Sequence, residues 1–281
     1  MLDWLLQNQN SDGGWGYAPG RRSSLEPTAL AALALAGCDA RGEPGRRAVS
    51  WILARESPEG GFAATERGPQ GSWASPLAVL ALRRAGAGAE ARGRALDWLL
   101  KIGGETLDLD DSNELNGSLR GWSWYPKTFS WIEPTAYAII ALKAEGRGNH
   151  ARVEEAERML LDRVCVGGGW NYGNKRVLGE DLVPFPQVSA KALIALRDRK
   201  DRRELGESAR FVLEGDSRQY RSTVTRAWIA LARASWGRPL GDLAAAVREN
   251  ARDDLEEGTA AVAAALVLLV EALPGYHGFD D

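Results

Sequence analysis

Apolar residues along the chain fall into two alternating patterns. In the first, Glu26-Pro27-Thr28-Ala29-Leu30-Ala31-Ala32-Leu33-Ala34-Leu35 returns as Glu133-Pro134-Thr135-Ala136-Tyr137-Ala138-Ile139-Ile140-Ala141-Leu142. These stretches are apolar nearly all round a helical projection, which suits helices buried on every side. Looser copies end at Leu82, Leu196, Leu231 and Leu266. In the second pattern, apolar residues occupy one face only, as with Val153, Ala156, Leu160 and Val164 among Arg, Glu and Asp. That spacing predicts helices with one solvated face.

The second class covers Met1–Gln7, Arg46–Arg55, Glu90–Lys101, Ala151–Val164, Arg203–Leu213 and Leu240–Asn250, so six outer helices alternate with six inner ones. Repetition at this scale means stacked helix pairs that bury a continuous core. An open solenoid would expose an apolar face at each end, and the sixth inner helix, Thr259–Ala272, is among the most apolar stretches of the chain. Its face needs the first repeat as cover. The pattern therefore predicts an all-α protein, a single (α/α)6 toroid of six outer and six inner helices spanning residues 1–281, with residues 275–281 as a loose C-terminal tail.

The intervals between inner-helix ends are longer up to Leu196 than after it, and the surplus lies in the connections from outer to inner helices of the early repeats. One rim is thus built up with loops. Those loops hold Gly13-Gly14-Trp15-Gly16-Tyr17, Gly60-Gly61-Phe62, Gly121-Trp122-Ser123-Trp124-Tyr125 and Gly168-Gly169-Trp170-Asn171-Tyr172. Loops carry function more often than scaffolds do. The same rings also serve as lids that fill the creases between helices.

Composition narrows the function. The 281 residues carry 35 Lys+Arg against 38 Asp+Glu, a formal charge of −3, so there is no basic field for nucleic acid. The longest apolar run, Ala260–Val270, is about half of the ~20 residues that a membrane-spanning helix requires. The start Met1-Leu2-Asp3-Trp4 has neither region of a signal peptide, which points to a cytoplasmic protein. Two cysteines, Cys38 and Cys165, and two histidines, His150 and His277, leave little material for a disulfide framework or a metal centre. No metal and no cofactor are expected. The unusual feature is 11 Trp beside 5 Phe and 6 Tyr.

These repeats resemble the terpenoid cyclase and protein prenyltransferase superfamily, whose toroids carry a Gln, a short spacer and Gly-x-Trp before each inner helix. Gln9 followed by Gly13-Gly14-Trp15 fits that pattern, while the other Gly-aromatic loops lack the glutamine. The prenyltransferase branch holds zinc with an Asp two residues before a Cys, but Ala36 and Arg163 stand at those positions here. Cyclases of the protonating class use the central acid of Asp-x-Asp-Asp, and Asp108-Leu109-Asp110-Asp111 offers Asp110 as that acid. In the family the motif runs straight into an inner helix as Asp-x-Asp-Asp-Thr-Ala. Alignment on Thr-Ala instead places Trp131-Ile132-Glu133-Pro134-Thr135-Ala136 over the motif, with Glu133 as proton donor.

The same register puts Glu26, Trp73, Glu133, Gln187, Ser222 and Glu257 at the first turns of the six inner helices, on one rim. Trp15, Tyr17, Trp122, Trp124, Trp131, Tyr137, Trp170 and Tyr172 join Glu26, Trp73, Gln187 and Glu257 as candidate substrate contacts. Glu-Pro at a helix start also has a structural use, because Glu complements the helix dipole and Pro forfeits no hydrogen bond there. The resemblance implies cyclisation of an isoprenoid started by an acid, with carbocations stabilised on aromatic faces. Two other readings stay open: a toroid that binds a small hydrophobic isoprenoid, a lipid or a protein without turnover, and a glycan-active (α/α)6 enzyme using Glu26 and Glu133 as paired carboxylates. Either lipid reading allows peripheral contact with a membrane surface.

Overall fold

A computed structural model describes residues 1–37, 42–66, 71–107, 114–199, 205–216, 219–254 and 260–271. The outer helices are α1 (Leu2–Gln7), α3 (Glu43–Leu53), α5 (Ala89–Lys101), α7 (Ala151–Asp162), α9 (Leu205–Ala209) and α11 (Leu243–Asp254). Inner helices are α2 (Leu25–Gly37), α4 (Ser75–Arg84), α6 (Ile132–Ala144), α8 (Pro186–Ala195), α10 (Thr223–Ser235) and α12 (Ala260–Glu271). A short antiparallel hairpin, β1 (Arg176–Val177) and β2 (Glu180–Asp181), rises from the loop before α8.

The inner helices pack in ring order, and α12 returns to contact α2. The predicted toroid is therefore closed. Helix α12 is buried from Ala260 to Val270, as a helix of Ala, Val and Leu with no solvated face requires. Outer helices bury one stripe each, such as Ala48, Trp51 and Ile52 on α3 or Val153, Ala156, Met159 and Leu160 on α7. The fifth outer helix is shorter than its sequence pattern, since α9 passes into a π turn over Arg210–Glu214.

The Gly-aromatic loops share one construction. The backbone N–H of Trp15, Phe62, Trp122 and Trp170 donates to the hydroxyl of Thr28, Ser75, Thr135 and Ser189 at 2.8–2.9 Å, each in the first turn or so of the following inner helix. The indole N–H of Trp15, Trp122 and Trp170 donates to Leu5, Leu99 and Leu160 carbonyls near the end of the preceding outer helix. Each ring thus ties an outer helix to an inner one. Gly13 and Gly168 precede these turns with φ of 94° and 95°, and a Cβ at either would strike backbone of the next outer segment, at Arg47 or Glu207. Only glycine accepts that backbone at that distance. Gln9 Nε2 donates to the carbonyls of Gly13 and Pro44, binding the first loop to the start of α3.

Candidate functional site

The hydroxyl register of Thr28, Ser75, Thr135 and Ser189 fixes what lies two residues earlier: Glu26, Trp73, Glu133 and Gln187. All four sit at or just before the first turns of inner helices, on the rim that carries the long loops. Two residues after the hydroxyl come Tyr137 on α6 and Lys191 on α8. These positions converge on the axis of the toroid.

At its centre Lys191 Nζ forms a buried ion pair with Glu133 Oε1. The ammonium also lies 5.2 Å from the ring centroid of Tyr137 and 4.9 Å from that of Trp228. Cation–π attraction in a desolvated setting is about 2 kcal/mol, so two rings and a carboxylate together hold this charge. The aromatic series continues outward, with Trp228 to Tyr137 at 5.8 Å, Tyr137 to Trp73 at 6.2 Å and Trp73 to Trp124 at 4.5 Å. Four rings from three repeats and a rim loop form one continuous wall.

Glu26 faces this cluster from α2. Burial raises its carboxyl above the ordinary Glu value, opposed by the Tyr17 hydroxyl and by Lys191 and reinforced by Glu133. The Tyr17 hydroxyl donates to Glu26 Oε2 at 2.6 Å. Tyr137 is fully buried, and its hydroxyl has no hydrogen-bond partner among the described residues. Burial, with Glu26 and Glu133 nearby, pushes that phenol well above its usual range, so it stays neutral.

Of the sequence candidates, Glu26, Tyr17, Trp73, Trp124, Glu133 and Tyr137 come together here. Trp15, Trp122 and Trp170 do not join the axial cluster: they are 0–2% exposed and spend their indole N–H groups inside the helix-tying turns. Trp131 packs edge-on against Phe129 at 5.6 Å, beside Gly173, and its backbone N–H donates to the Trp122 carbonyl. Tyr172 lies at the rim, 4.7 Å from Phe185 and 44% exposed, and Gln187 is half-buried at the start of α8. Asp110, Glu257 and the segment 275–281 lie outside the described residues.

Two members of the cluster were not singled out from the sequence, Lys191 and Trp228. Lys191 had a signal, being the one charged residue within the apolar stretch Val188–Leu196. Cys165 is buried, and burial raises its thiol, which suits a packing role. Among the described residues, no group of three His, Cys, Asp or Glu is placed to hold a metal ion, and no helix is long and apolar enough to cross a membrane.

No family model matches the chain, and no curated protein matches it. Solved structures do. A type II terpene cyclase from Scytonema aligns over 98% of this chain and 96% of its own with a TM-score of 0.61 and 15% identity. An α-amylase from Clostridium perfringens aligns over 97% and 96%, with a TM-score of 0.64 and 12% identity. The α2-macroglobulin of Salmonella matches 96% of this chain at a TM-score of 0.56 and 16% identity, but this chain spans only 17% of that one. The α/α toroid is thus common to all of them, and the cyclase-like fold anticipated from the repeats is present.

Proposed function

We infer that the chain is a terpenoid-cyclase-like enzyme that cyclises an isoprenoid by protonating it at the mouth of the toroid, with Glu26 as the acid. One observation carries this reading. A carboxyl whose surroundings favour its protonated form faces a wall of aromatic rings that already accommodates a cation, the Lys191 ammonium.

Glu133, the acid suggested by the Thr-Ala alignment, takes a different part because its Oε1 is engaged by Lys191. It is the countercharge that keeps the ammonium in place, and its own negative charge favours the proton on Glu26. Tyr17 orients the Glu26 carboxyl through Oε2 and leaves the other oxygen to carry the proton. Proton transfer to a terminal alkene or epoxide leaves a carboxylate that Tyr17 and Lys191 stabilise. The carbocation then meets the rings of Trp73 and Trp124, each worth about 0.5–2 kcal/mol. When the ring closes, Glu26 takes back a proton, so the reaction is a net isomerisation with no cofactor.

The rim suits delivery of such a substrate from a membrane surface. The hairpin and its flanks expose Val177, Leu178, Val183 and Phe185, with Leu178 at its tip 92% exposed. The Scytonema cyclase has been solved with geranylgeranyl dihydroxybenzoate as substrate, which supports an isoprenoid of that length as a first candidate.

The test is incubation in chelator with squalene, oxidosqualene, farnesyl and geranylgeranyl diphosphates, followed by mass spectrometry of extracts. A cyclised product that disappears in Glu26→Gln supports the assignment. Product that survives in Glu26→Gln but vanishes in Asp110→Asn moves the acid to that loop. Absence of turnover with isoprenoid retained in native mass spectrometry makes the toroid a carrier.

A further inference from the structure

A recess lies off the axis, between the second and third repeats. It is a cavity of about 470 Å³ bounded by the end of α5, the first turn of α4 and the rim loop before α6. Its walls include the indoles of Trp73, Trp98, Trp122 and Trp124 and the ring of Tyr125. We propose that this recess, which shares Trp73 and Trp124 with the axial aromatic wall but does not reach Glu26 or Glu133, is a binding site for a neutral oligosaccharide chain.

The rings are held before any ligand arrives. Trp98 is overlaid by Gly61 and Gly71, both in left-handed backbone, and a Cβ on either glycine would collide with the indole. Trp122, 2% exposed beneath the Arg152 guanidinium, is the floor rather than a stacking face, and Trp124 stands edge-on to Trp73 at 74°. Tyr125 is 67% exposed at the lip. Fixed aromatic faces of this kind stack on the apolar C–H faces of pyranose rings at little cost in side-chain entropy.

The polar fringe decides between ligands. Lys101, Lys127, Glu59 and Glu105 line the recess together with Arg120, whose guanidinium is already engaged by Glu155. Among the described lining residues the remaining charges cancel, two against two. A hydrocarbon tail would have to desolvate those groups, and a strongly charged ligand of either sign would meet like charges as well as opposite ones. Hydroxyl groups can donate to the carboxylates and accept from the ammoniums, and the volume falls within the range of pockets for small ligands. Lys127 adds a geometric sign, since it sits at φ 60° in the Tyr125-Pro126-Lys127 turn at the lip, an unusual backbone for a lysine.

The test is isothermal titration of the full chain with maltohexaose, cellohexaose, xylohexaose and chitohexaose, with decaproline as a competing class. One of the hexaoses is expected to bind, and Tyr125→Ala to weaken it by about tenfold. Trp124→Ala should abolish it, while Phe185→Ala, an exposed ring outside the recess, should leave it unchanged. Because Tyr125 is exposed, its removal leaves the core intact, and circular dichroism of each variant verifies the fold. No binding by any hexaose at millimolar concentration, binding unaltered in Tyr125→Ala and Trp124→Ala, or binding of decaproline alone would overturn the proposal. Because Trp73 and Trp124 border both sites, Tyr125→Ala is the variant that separates them: it should weaken hexaose binding and leave any cyclisation unchanged.

Discussion

Lys191 and Glu133 are 3% and 7% exposed, so each is the other's principal compensation for lost hydration. Removing one partner of such a pair strands the other charge in the core, at a cost of about 3–5 kcal/mol. Lys191→Met is therefore expected to lower stability by that amount in urea unfolding. Lys191→Met combined with Glu133→Gln should recover most of the loss, and a double variant as unstable as the sum of the singles would show that the two do not interact. Glu26 makes a different prediction because its carboxyl is raised, first by burial. Between the ordinary Glu value and the raised one, the folded chain binds a proton that the unfolded chain does not. Stability then falls as pH rises through that window. Glu26→Gln should match the wild type below the window and exceed it in melting temperature above it. The same titration gives activity an acidic limb: turnover should fall as pH rises through the raised Glu26 value, and a rate that is flat across that window would remove Glu26 as the acid.

At the scale of elements, the repeating unit is an outer helix, a Gly-aromatic turn and an inner helix whose hydroxyl receives the turn. The four hydroxyls of Thr28, Ser75, Thr135 and Ser189 each accept a buried backbone N–H. Thr135→Val keeps the shape but leaves the Trp122 N–H without a partner, which should cost about 1–3 kcal/mol. Gly168→Ala should cost about 1–3 kcal/mol through backbone strain, with the clash against Glu207 in addition. Both are measured by chemical denaturation, and a neutral Thr135→Val would mean that the turn is held by ring packing alone. Two of these hydroxyls, Thr28 and Thr135, were legible in the sequence as the Pro-Thr steps of a repeated segment. The shared hydrogen bond was not, because it joins residues 13 to 19 positions apart that meet only after the loop folds back.

For the whole molecule, closure of α12 on α2 turns a row of repeats into a ring with no free end. An open solenoid unfolds approximately as a sum of local units. In a ring, loss of the last repeat uncovers the first. Leu266→Asp buries an unpaired charge in α12, where Leu266 has no exposure, and should weaken hydrogen-exchange protection in α2 as strongly as in α10. Protection in α2 that is unaffected would favour an open array.

Residue pattern alone determined the twelve helices, their alternation and the single toroid, since apolar periodicity says which faces must be buried and an all-round apolar last helix demands a neighbour. It also placed Glu26, Trp73 and Glu133 on one rim, because equivalent positions in a repeat share one height. Contacts across the ring needed the tertiary structure. Lys191 was visible as a lone charge in an apolar helix, but the identity of its partner depends on how α8 faces α6 across the axis. That pairing gives Lys191 its countercharge in Glu133, and it leaves Glu26 as the acid proposed above. Likewise Trp15, Trp122, Trp170, Trp73 and Trp124 look alike in the sequence, and only the fold separates rings whose N–H groups are spent on backbone carbonyls from rings that face the site, since hydrogen bonding and exposure are properties of surroundings rather than of residue type.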